Sequence, residues 1–351
     1  MKLQPNLAKW LVVLGVLHGI VFCAGFFAPY DPVEQDRKSP YLPPMHFHVL
    51  DALGHFHVQP FVYSLKLREG SFEQYEEDMA EPHTVKFFLD GARYRLLGFL
   101  PCRKHLFGAE NARICLLGTD AYGRDQLSRL LFGGQVSLLA GLLGAGVTLL
   151  IGLLIGAVAG YYGGWRDSLL MRLAELFLAL PWLYLLFALR AFLPLSVSPL
   201  KAFFLIIAVI GTVGWARPAR LVRGVVLSAK ERDFVRAARG FGATNGYLLR
   251  RHILPETSSV VLTQAAILIP QYVLAEMTLS FLGLGVPEPV PSWGNLLSSL
   301  QQYSVLVSYW WMYLPALFMV PFFLGYLGLA SSLQGREGTH KIEMSSLGSL
   351  T

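Results

Sequence analysis

Four histidines near the start of the chain are the residues best suited to bind a metal ion. They lie in two short runs, H-F-H-V-L and H-F-H-V, which flank the segment 51–54. If the two runs pair as a β-hairpin, His48 faces His57 and alternation puts all four imidazoles on one side. Such a cluster suits Zn²⁺, Ni²⁺ or Cu²⁺, and the alternative is a solvated strand face with phenylalanines packed beneath it. The candidate ligands are His46, His48, His55 and His57.

The sequence carries no familiar catalytic motif. It has no G-x-x-x-x-G-K-[ST] loop, so ATP is not bound by that route, and neither H-E-x-x-H nor G-x-S-x-G occurs. A membrane-embedded hydrolase would need pairs of His, Asp or Ser inside apolar segments. Those segments contain only His18 and scattered carboxylates. We therefore expect a non-enzymatic chain that binds no cofactor of its own.

Composition indicates a polytopic membrane protein. Of the 351 residues, 54% are hydrophobic and 15% are charged, and the mean hydropathy is +0.48. A net charge of +6 could suggest a nucleic-acid partner. The basic residues cluster between apolar segments, however, where positive charge reports membrane orientation, and we expect no nucleic-acid partner.

Six apolar segments are long enough, or nearly so, to cross a bilayer, which takes about 20 residues. The sequence divides into an N-terminal tail with the first span (1–29), an insert (30–117), a core with the other five spans (118–333) and a tail (334–351). A cleaved signal peptide is the alternative for the first segment, but its apolar run is long and the site after it is poor for processing. The expected spans are 7–28, 136–161, 169–192, 201–215, 259–282 and 310–333.

The insert at 30–117 has the pattern of β-structure. Two strand-like runs flank Asp90-Gly91, a strong hairpin signal, so we expect a turn there in addition to the hairpin at 51–54. Cys102 and Cys115 both fall in this insert and could pair in an oxidising compartment.

A strongly basic loop at 216–256 fixes the expected orientation. Its Lys and Arg residues contrast with the segment 283–308, which has none. The positive-inside rule places the basic loop in the cytoplasm. Both termini then lie in the cytoplasm and the insert lies outside.

Within this loop, the stretch Arg232–Pro255 predicts a short helix with one small apolar face. Phe234, Ala237, Ala238 and Phe241 follow the i, i+3, i+4, i+7 spacing. Gly240 and Gly242 are expected to stop the helix. Thr244 or Asn245 can then cap a second short helix, which Ile253-Leu254-Pro255 is expected to end.

This stretch resembles the coupling loop of binding-protein-dependent ABC transporter permeases. The paired alanines, the following glycine and the closing I-L-P match that pattern, whereas Arg236 stands where the family usually has Glu. The resemblance implies contact with an ATPase subunit through Phe234, Arg236, Ala237, Ala238, Gly240, Gly242, Ala243, Ile253, Leu254 and Pro255.

A second stretch, before the second span, resembles the G-T-D-x-x-G-R-D-x-x-S-R segment of the dipeptide, oligopeptide and nickel branch of these permeases. From the residues alone, Asp125 caps an amphipathic helix at the membrane surface. The segments L-S-F-L-G-L-G and S-W-G further along also match this branch, while its usual C-terminal run is missing. The matching residues are Gly118, Thr119, Asp120, Gly123, Arg124, Asp125, Ser128 and Arg129.

The fifth span carries three polar side chains, Gln264, Gln271 and Glu276. Charge inside a membrane is costly and marks a pathway by default, so these residues are candidates to line a translocation cavity. The alternative is that Glu276 caps or fixes loops at an outer gate.

The resemblance implies an all-α polytopic membrane protein with the six transmembrane helices of the type I ABC importer permease, here with a β-containing extracytoplasmic insert after the first helix. It implies a permease in the bacterial inner (plasma) membrane that forms half of a channel for di- or oligopeptides. The expected partners are a second homologous permease, two cytoplasmic ATPase subunits that bind ATP and Mg²⁺, an extracytoplasmic substrate-binding protein and membrane lipid. Nickel or another small solute is the alternative substrate. A membrane hydrolase and an ion-driven secondary transporter are the rival classes.

Overall fold

The computed structural model describes residues 5–348 except 52–53, 69–73, 97–98, 110–111, 193 and 195–196. Within the described residues the chain divides into two compact units. One contains Met1–Leu14, Leu138–Leu279 and Pro321–Thr351, and the other contains Gly15–Ser137 and Ser280–Val320.

Thirteen α-helical segments are described, joined in places by 3₁₀ or π turns. They are α1 Pro5–Phe22, α2 Ala24–Phe27, α3 Gln126–Tyr162, α4 Gly164–Ala179, α5 Trp182–Ala191, α6 Pro199–Val213, α7 Ala216–Lys230, α8 Asp233–Gly240, α9 Asn245–Leu248, α10 Ser258–Phe281, α11 Trp293–Ser298, α12 Tyr303–Ser308 and α13 Leu314–Gly348.

Among the described residues, three helices are long and apolar enough to cross a membrane by themselves: Gln126–Tyr162, Asn245–Phe281 and Trp310–Gly335. Two further spans result if each of two bent pairs is counted as one. The pair α4 and α5 bends by 89°, and the pair α6 and α7 by 46°. The helix α1 is apolar but shorter.

Several expected helix boundaries were wrong. The segment before the second span is not a separate surface helix, because α3 runs without a break from Gln126 to Tyr162. The expected third span is interrupted at Pro181, which holds Leu180 in an extended conformation and begins α5. The expected sixth span at 310–333 is confirmed by the apolar helical stretch Trp310–Gly335, although α13 itself continues to Gly348.

Glycines let α3 pack closely against its neighbours in the first unit. A Cβ on Gly141 would meet Val273 and the backbone of α10, and a Cβ on Gly156 would come within 2.5 Å of the Ala219 carbonyl oxygen on α7. Gly152 and Gly160 approach α7 in the same way. Small residues at this spacing are what permits close packing between membrane helices.

The insert in the second unit contains two antiparallel sheets. The first has the strand order β1-β2-β3, and the second pairs β4 with β5. Leu42, Val62, Val85 and Phe107 are buried together with Ile114 in one hydrophobic cluster. The strands are β1 His48–Leu50, β2 Phe56–Leu67, β3 Tyr75–Thr84, β4 Lys86–Leu96 and β5 Leu100–Gly108.

One of the two expected hairpin turns is absent. Asp90 and Gly91 lie inside the single strand β4, which pairs with β5 on both sides of a bulge. Three residues of β4, 91–93, lie between the pairs Asp90↔Lys104 and Tyr94↔Cys102, opposite one residue of β5. Gly91 is needed here for close approach, because a Cβ would lie 2.7 Å from the His105 ring. The Asp-Gly signal therefore marks a bulge and not a turn.

The other expected hairpin forms, with a different register. β1 pairs with β2, but His48 lies opposite Phe61 and not opposite His57. Residues 52–53 of its turn lie outside the described residues. Cys102 and Cys115, which could pair in an oxidising compartment, are both free thiols in the structure. Cys115 is buried, and its backbone N–H donates to the Met45 Sδ at 3.2 Å.

Candidate functional site

The basic loop holds α8 against the rest of its unit through a single buried side chain. Val235 is completely buried in a cluster with Val222 and Val226 of α7, Leu248 of α9 and Ile253. Ala238, three residues on, packs against the same cluster. Spacing of i, i+3 puts these two residues on one side of the helix, so the inner face of α8 is Val235 and Ala238.

An adjacent face of α8 presents apolar side chains that the described chain leaves wholly or partly exposed, although the Phe234 ring contacts the His252 ring at 5.8 Å. Phe241 is 93% exposed and Phe234 is 44% exposed, and Ala237 between them is also exposed. The predicted apolar face is therefore divided. Ala238 contacts the protein's own core, while the other three members of the face remain available to a partner.

The end of α8 is a Schellman motif. Gly242 has φ +86°, its N–H donates to the Arg239 carbonyl at 3.0 Å, and the Ala243 N–H donates to the Ala238 carbonyl at 3.1 Å. Gly240, by contrast, lies within the helix and has no positive φ. Of the two glycines expected to stop the helix, only Gly242 adopts the conformation that glycine favours.

The second short helix starts as expected but does not end as expected. The Thr244 hydroxyl accepts from the Tyr247 N–H and caps α9. The chain then continues through a π turn, Leu249–Ile253, and a 3₁₀ turn, Leu254–Thr257, directly into α10. Pro255 lies in the first turn of the 3₁₀ segment, where its missing N–H costs little. The loop is therefore joined to α10 by continuous helical backbone.

Ion pairs and hydrogen bonds tie this loop to its neighbours. Arg232 pairs with Glu256 at 2.9 Å, and the Tyr161 hydroxyl at the end of α3 donates to Asn245 at 2.7 Å. Arg236, the departure from the family pattern, pairs with Asp233 on its own helix. Because both of those side chains are exposed, the pair adds little stability, and it does not involve Phe234, Ala237 or Phe241.

The second candidate region, 118–129, lies in the other unit and is a compact turn before α3. Gly118 and Gly123 have φ +74° and +68°, and a Cβ on either would collide with a backbone carbonyl, of Leu42 and Asp36 respectively. Thr119 accepts from the Leu42 N–H at 2.8 Å and donates to the Ser39 carbonyl at 2.7 Å. Both glycines are therefore required by the backbone.

Two arginines of this turn form a buried ion-pair network. Arg124 contacts Asp120 at 2.7 Å and Glu288 at 2.7 Å, and Arg129 contacts Glu288 at 2.8 Å and Asp120 at 3.5 Å. The arginine side chains are 7% and 2% exposed. Glu288 was not predicted from the sequence. No sequence signal marked it, because the burial of the two arginines, which requires a second carboxylate besides Asp120, becomes visible only in the folded chain.

Asp125 caps α3 as predicted. Its Oδ2 accepts from the Ser128 N–H at 2.7 Å and from the Ser128 hydroxyl at 2.6 Å. Burial raises the pKa of the Asp125 carboxyl to about 6, although the bonds from Ser128 oppose this rise. The other oxygen, Oδ1, is buried and has no hydrogen-bond partner among the described residues.

The S-W-G segment packs against the start of α3. Trp293 is fully buried, and its indole N–H donates to the Leu130 carbonyl at 3.0 Å. Ser292 and Asn295 form a capping box that begins α11. This segment therefore stabilises the first turns of α3 within the second unit.

The three polar residues of α10 do not form one exposed surface. Glu276 is fully buried, and Gln264 is 6% exposed, while Gln271 is partly buried. Glu276 lies five positions after Gln271. On a helix with 3.6 residues per turn, this spacing points the two side chains in different directions. The expectation that all three line a cavity does not match this burial. Gln271 has the most accessible side chain of the three.

The histidines of the insert bond to carboxylates. His55 and His57 share the Asp51 carboxylate at 3.2 and 3.1 Å, and His48 contacts Glu77 at 3.1 Å. Across the part of the chain that the structure describes, no three side chains of His, Cys, Asp or Glu are placed to hold a metal ion. His46 is exposed.

Comparison with known proteins decides the family. The profile described as "Binding-protein-dependent transport system inner membrane component" matches residues 152–336, more than half of the chain. This chain belongs to that family. The match includes the whole basic loop with α8, so the resemblance noted there is confirmed.

Curated relatives of this permease carry peptide-transport names. The chain is 40% identical over 202 residues to the "Oligopeptide transport system permease protein OppC" of Haemophilus influenzae, covering 58% of this chain and 63% of the relative. It is 36% identical over 203 residues to the "Dipeptide transport system permease protein DppC" of Bacillus subtilis, covering 58% and 61%. It is 41% identical over 203 residues to the Escherichia coli OppC protein, covering 58% and 65%. The matches thus span about three fifths of each relative.

Among solved structures, the permease is similar to a chain from the "Crystal structure of an amino acid ABC transporter with histidines". The identity is 18% and the TM-score 0.42, covering 59% of this chain and 94% of that chain.

Proposed function

We propose that this permease is one membrane subunit of an ATP-driven importer for di- or oligopeptides. The observation that carries the proposal is α8, a short helix in the family's matched region that is held by Val235 and leaves Ala237, Phe241 and part of Phe234 exposed on an adjacent face. A rigid helix with an unpartnered apolar face is suited to docking in a groove of a second protein.

The docked protein, in this proposal, is a cytoplasmic ATPase subunit. Closure of two such subunits on ATP and Mg²⁺ moves α8, and the movement passes to α7 through Val235 and to α10 through the unbroken helical turns after α9. Packed cores transmit such shifts as rigid bodies. The permease itself then needs no nucleotide site and no catalytic residue, and it forms half of a channel with a second homologous permease.

The same proposal gives the chain six spans. The helices α1 with α2, α3, the pair α4–α5, the pair α6–α7, α10 and α13 cross in turn, as in the type I importer arrangement. The two termini and the basic loop then lie in the cytoplasm of a bacterium, in accordance with the charge of the loop. The insert and the 118–129 turn lie outside, where an extracytoplasmic binding protein delivers the substrate.

Peptides are the substrate that we propose, because the curated relatives are named for oligopeptide and dipeptide transport. Nickel is less favoured, since the insert histidines bond to Asp51 and Glu77. Gln271, the most accessible of the polar side chains on α10, is the residue that we propose faces the translocation path, whereas Glu276 and Gln264 are buried within the chain.

The Phe241→Asp variant tests the docking role. Phe241 is 93% exposed, so a charge there should leave folding unchanged while opposing burial against an apolar groove. We expect uptake of labelled peptide to fall at least about tenfold, a loss of roughly 1.4 kcal/mol in coupling, and the ATPase subunits to co-purify less. The control Phe241→Leu keeps an apolar side chain and should retain uptake.

Normal uptake and normal co-purification of the ATPase by Phe241→Asp would contradict the docking role of α8. Uptake of labelled Ni²⁺ in place of labelled peptide, in cells expressing the unmodified chain with its partners, would contradict the substrate but not the docking role.

A further inference from the structure

Gln126, the first residue of α3, carries a buried amide whose oxygen has no partner. The residue is 1% exposed, and its Oε1 accepts no hydrogen bond from the described part of the chain. Its Nε2 donates to the Met312 Sδ at 3.7 Å, and a thioether sulfur is only a weak acceptor. Because an unsatisfied buried acceptor lowers the stability of a fold, a bound ligand explains this amide better than packing does.

Gln126 and Met312 line a cavity of about 290 Å³. All of its lining residues belong to the second unit. The volume is close to the lower end of the roughly 300–1,000 Å³ typical of small-molecule sites. Tyr41 adds aromatic surface to the lining, and the exposed side chains of Tyr122 and Gln302 form its outer rim. The cavity therefore suits a small ligand, or a short part of a longer one, that enters from solvent.

The charged side chains around the cavity cancel one another. Arg124 and Arg129 line it together with Asp120 and Glu288, and these are the four members of the ion-pair network described above. Each arginine already has a carboxylate oxygen within 2.8 Å. An ion that entered would leave water without meeting a net opposite charge, which is costly. The cavity therefore favours a neutral polar ligand.

A peptide group has the hydrogen-bonding groups that such a cavity can satisfy. Its N–H can donate to the Gln126 Oε1, and its carbonyl can accept from the side-chain amide of Gln302. Within the described residues that amide forms no hydrogen bond of its own. Tyr41 and Tyr122 offer apolar ring surface to the side chains on either side of the peptide group.

We propose that this cavity is a subsite for one peptide group of the transported di- or oligopeptide, with the peptide N–H donated to the Gln126 Oε1. The inference rests on the import function proposed above, in which the turn at 118–129 lies on the outer side of the membrane. Substrate released there meets the cavity before it crosses.

The test compares two dipeptides that differ in a single hydrogen-bond donor. The purified full-length chain in detergent is titrated by calorimetry with Ala-Ala and with alanyl-N-methylalanine, whose peptide nitrogen carries a methyl group in place of hydrogen. The unmodified chain should bind Ala-Ala at least about fivefold more tightly, because the analogue leaves the Gln126 oxygen unsatisfied.

The Gln126→Met variant removes the acceptor and keeps a side chain of similar length. It should bind Ala-Ala about fivefold more weakly than the unmodified chain, and the ratio of its two dipeptide affinities should fall below about twofold. A purely steric effect of the methyl group would leave that ratio unchanged, so the pair of ligands and the pair of proteins form a thermodynamic cycle.

A measurement of stability separates ligand binding from a structural role. Without peptide, Gln126→Met should unfold at the same temperature as the unmodified chain or at a higher one, since it removes an unsatisfied buried atom. The control Gln59→Met changes an exposed glutamine on β2 outside the cavity. It should leave both dipeptide affinities within about twofold.

Failure of the unmodified chain to bind Ala-Ala would overturn the subsite, and so would equal affinity for the two dipeptides. An unchanged affinity ratio in Gln126→Met, or a clearly lower unfolding temperature of that variant, would overturn it as well. Neither ATP nor a partner protein enters these measurements. A failed subsite therefore leaves peptide uptake and its response to Phe241→Asp intact, whereas absent peptide uptake by the unmodified chain with its partners counts against the import proposal itself.

Discussion

Asp125 begins α3 with a carboxyl group that has no access to solvent. Its pKa is raised from 3.8 to about 6 by burial, so the folded chain favours the neutral acid. A raised carboxyl pKa contributes stability that is fully present below pH 4 and is lost as the pH rises through 6. A shift of about two pKa units corresponds to roughly 3 kcal/mol at most.

The Asp125→Asn variant should remove this pH dependence. Asparagine is also a good N-cap and can still accept from Ser128. We expect thermal unfolding of the unmodified chain in detergent to shift to lower temperature between pH 5 and pH 8, with a smaller shift in the variant. Since other groups titrate in both proteins, the difference between the two shifts is the quantity that matters. Identical shifts would show that Asp125 is ionised throughout.

Glu288 neutralises two arginines that have almost no contact with solvent. Replacement by Gln removes the charge that Arg124 and Arg129 share at 2.7 and 2.8 Å. Breaking a buried pair costs about 3–5 kcal/mol. The Glu288 side chain is 47% exposed, so solvent screens part of the pair and we expect Glu288→Gln to cost about 1–3 kcal/mol.

Chemical or thermal unfolding in detergent checks this cost, with Glu231→Gln as control. Glu231 is exposed and has no ion pair among the described residues, so its replacement should change stability by less than about 0.5 kcal/mol. Equal effects of the two variants would mean that the network around Arg129 contributes nothing measurable.

At the scale of single residues, the sequence predicts those roles that depend only on neighbours close in the chain. Asp125 as a cap and Gly242 as a helix end follow from residue type and spacing, because both functions involve atoms within five residues. Glu288 and Val235 could not be predicted, since their roles depend on partners brought together by folding. Glu288 is more than 150 residues from the arginines that it binds.

At the scale of elements, the spacing of glycines in α3 decides which neighbours come close. Gly156→Leu would put side-chain atoms where the Ala219 carbonyl oxygen and Val222 now lie, at 2.5 and 2.9 Å from the first added carbon. Overpacking of this kind costs about 1–3 kcal/mol. We expect a lower melting temperature in detergent and a lower yield of folded chain.

Gly146→Leu is the matched control on the same helix. A Cβ there meets nothing within 4 Å and the position is exposed, so leucine should be tolerated and should favour the helix slightly. If both leucine variants lose stability equally, close packing against α7 is not what requires glycine at position 156.

Elements were predictable where one local signal acted alone. The apolar run of α10 and the amphipathic pattern of α8 gave helices close to their observed bounds. Where the local sequence favoured a turn or a helix end but packing with distant residues favoured another conformation, the packing determined the conformation. Asp90-Gly91 became part of a bulged strand because Gly91 accommodates His105, and Pro255 continued a helical path that it was expected to end.

At the scale of the whole molecule, the number of membrane crossings depends on the two bent pairs. A bend of 89° between α4 and α5 is compatible with a broken span and equally with a segment that re-enters the same surface. Contacts at the end of α3 bear on this choice. Asp167 of α4 pairs with Arg223 of α7 at 2.5 Å, and Lys230 donates to the Gly160 carbonyl at 3.2 Å. The start of α4 therefore lies beside the basic loop, on the side assigned to the cytoplasm.

The four crossings between Glu76 and Ser304 can be tested by labelling single cysteines with an impermeant maleimide. The labelled variants carry alanine in place of the three native cysteines. Under the six-span proposal, Glu76→Cys, Ser198→Cys and Ser304→Cys react from outside intact spheroplasts, whereas Trp165→Cys and Gly240→Cys react only after permeabilisation. All five positions are exposed in the chain. If α4–α5 re-enters, Trp165 and Ser198 react from the same side, and the sides of Glu76 and Gly240 then show whether the pair α6–α7 crosses. In the six-span proposal, one crossing lies between each labelled site and the next site along the chain. A re-entrant pair would add no crossing, so two neighbouring sites would then react from the same side. The fully alternating pattern therefore requires all four intervening segments to cross.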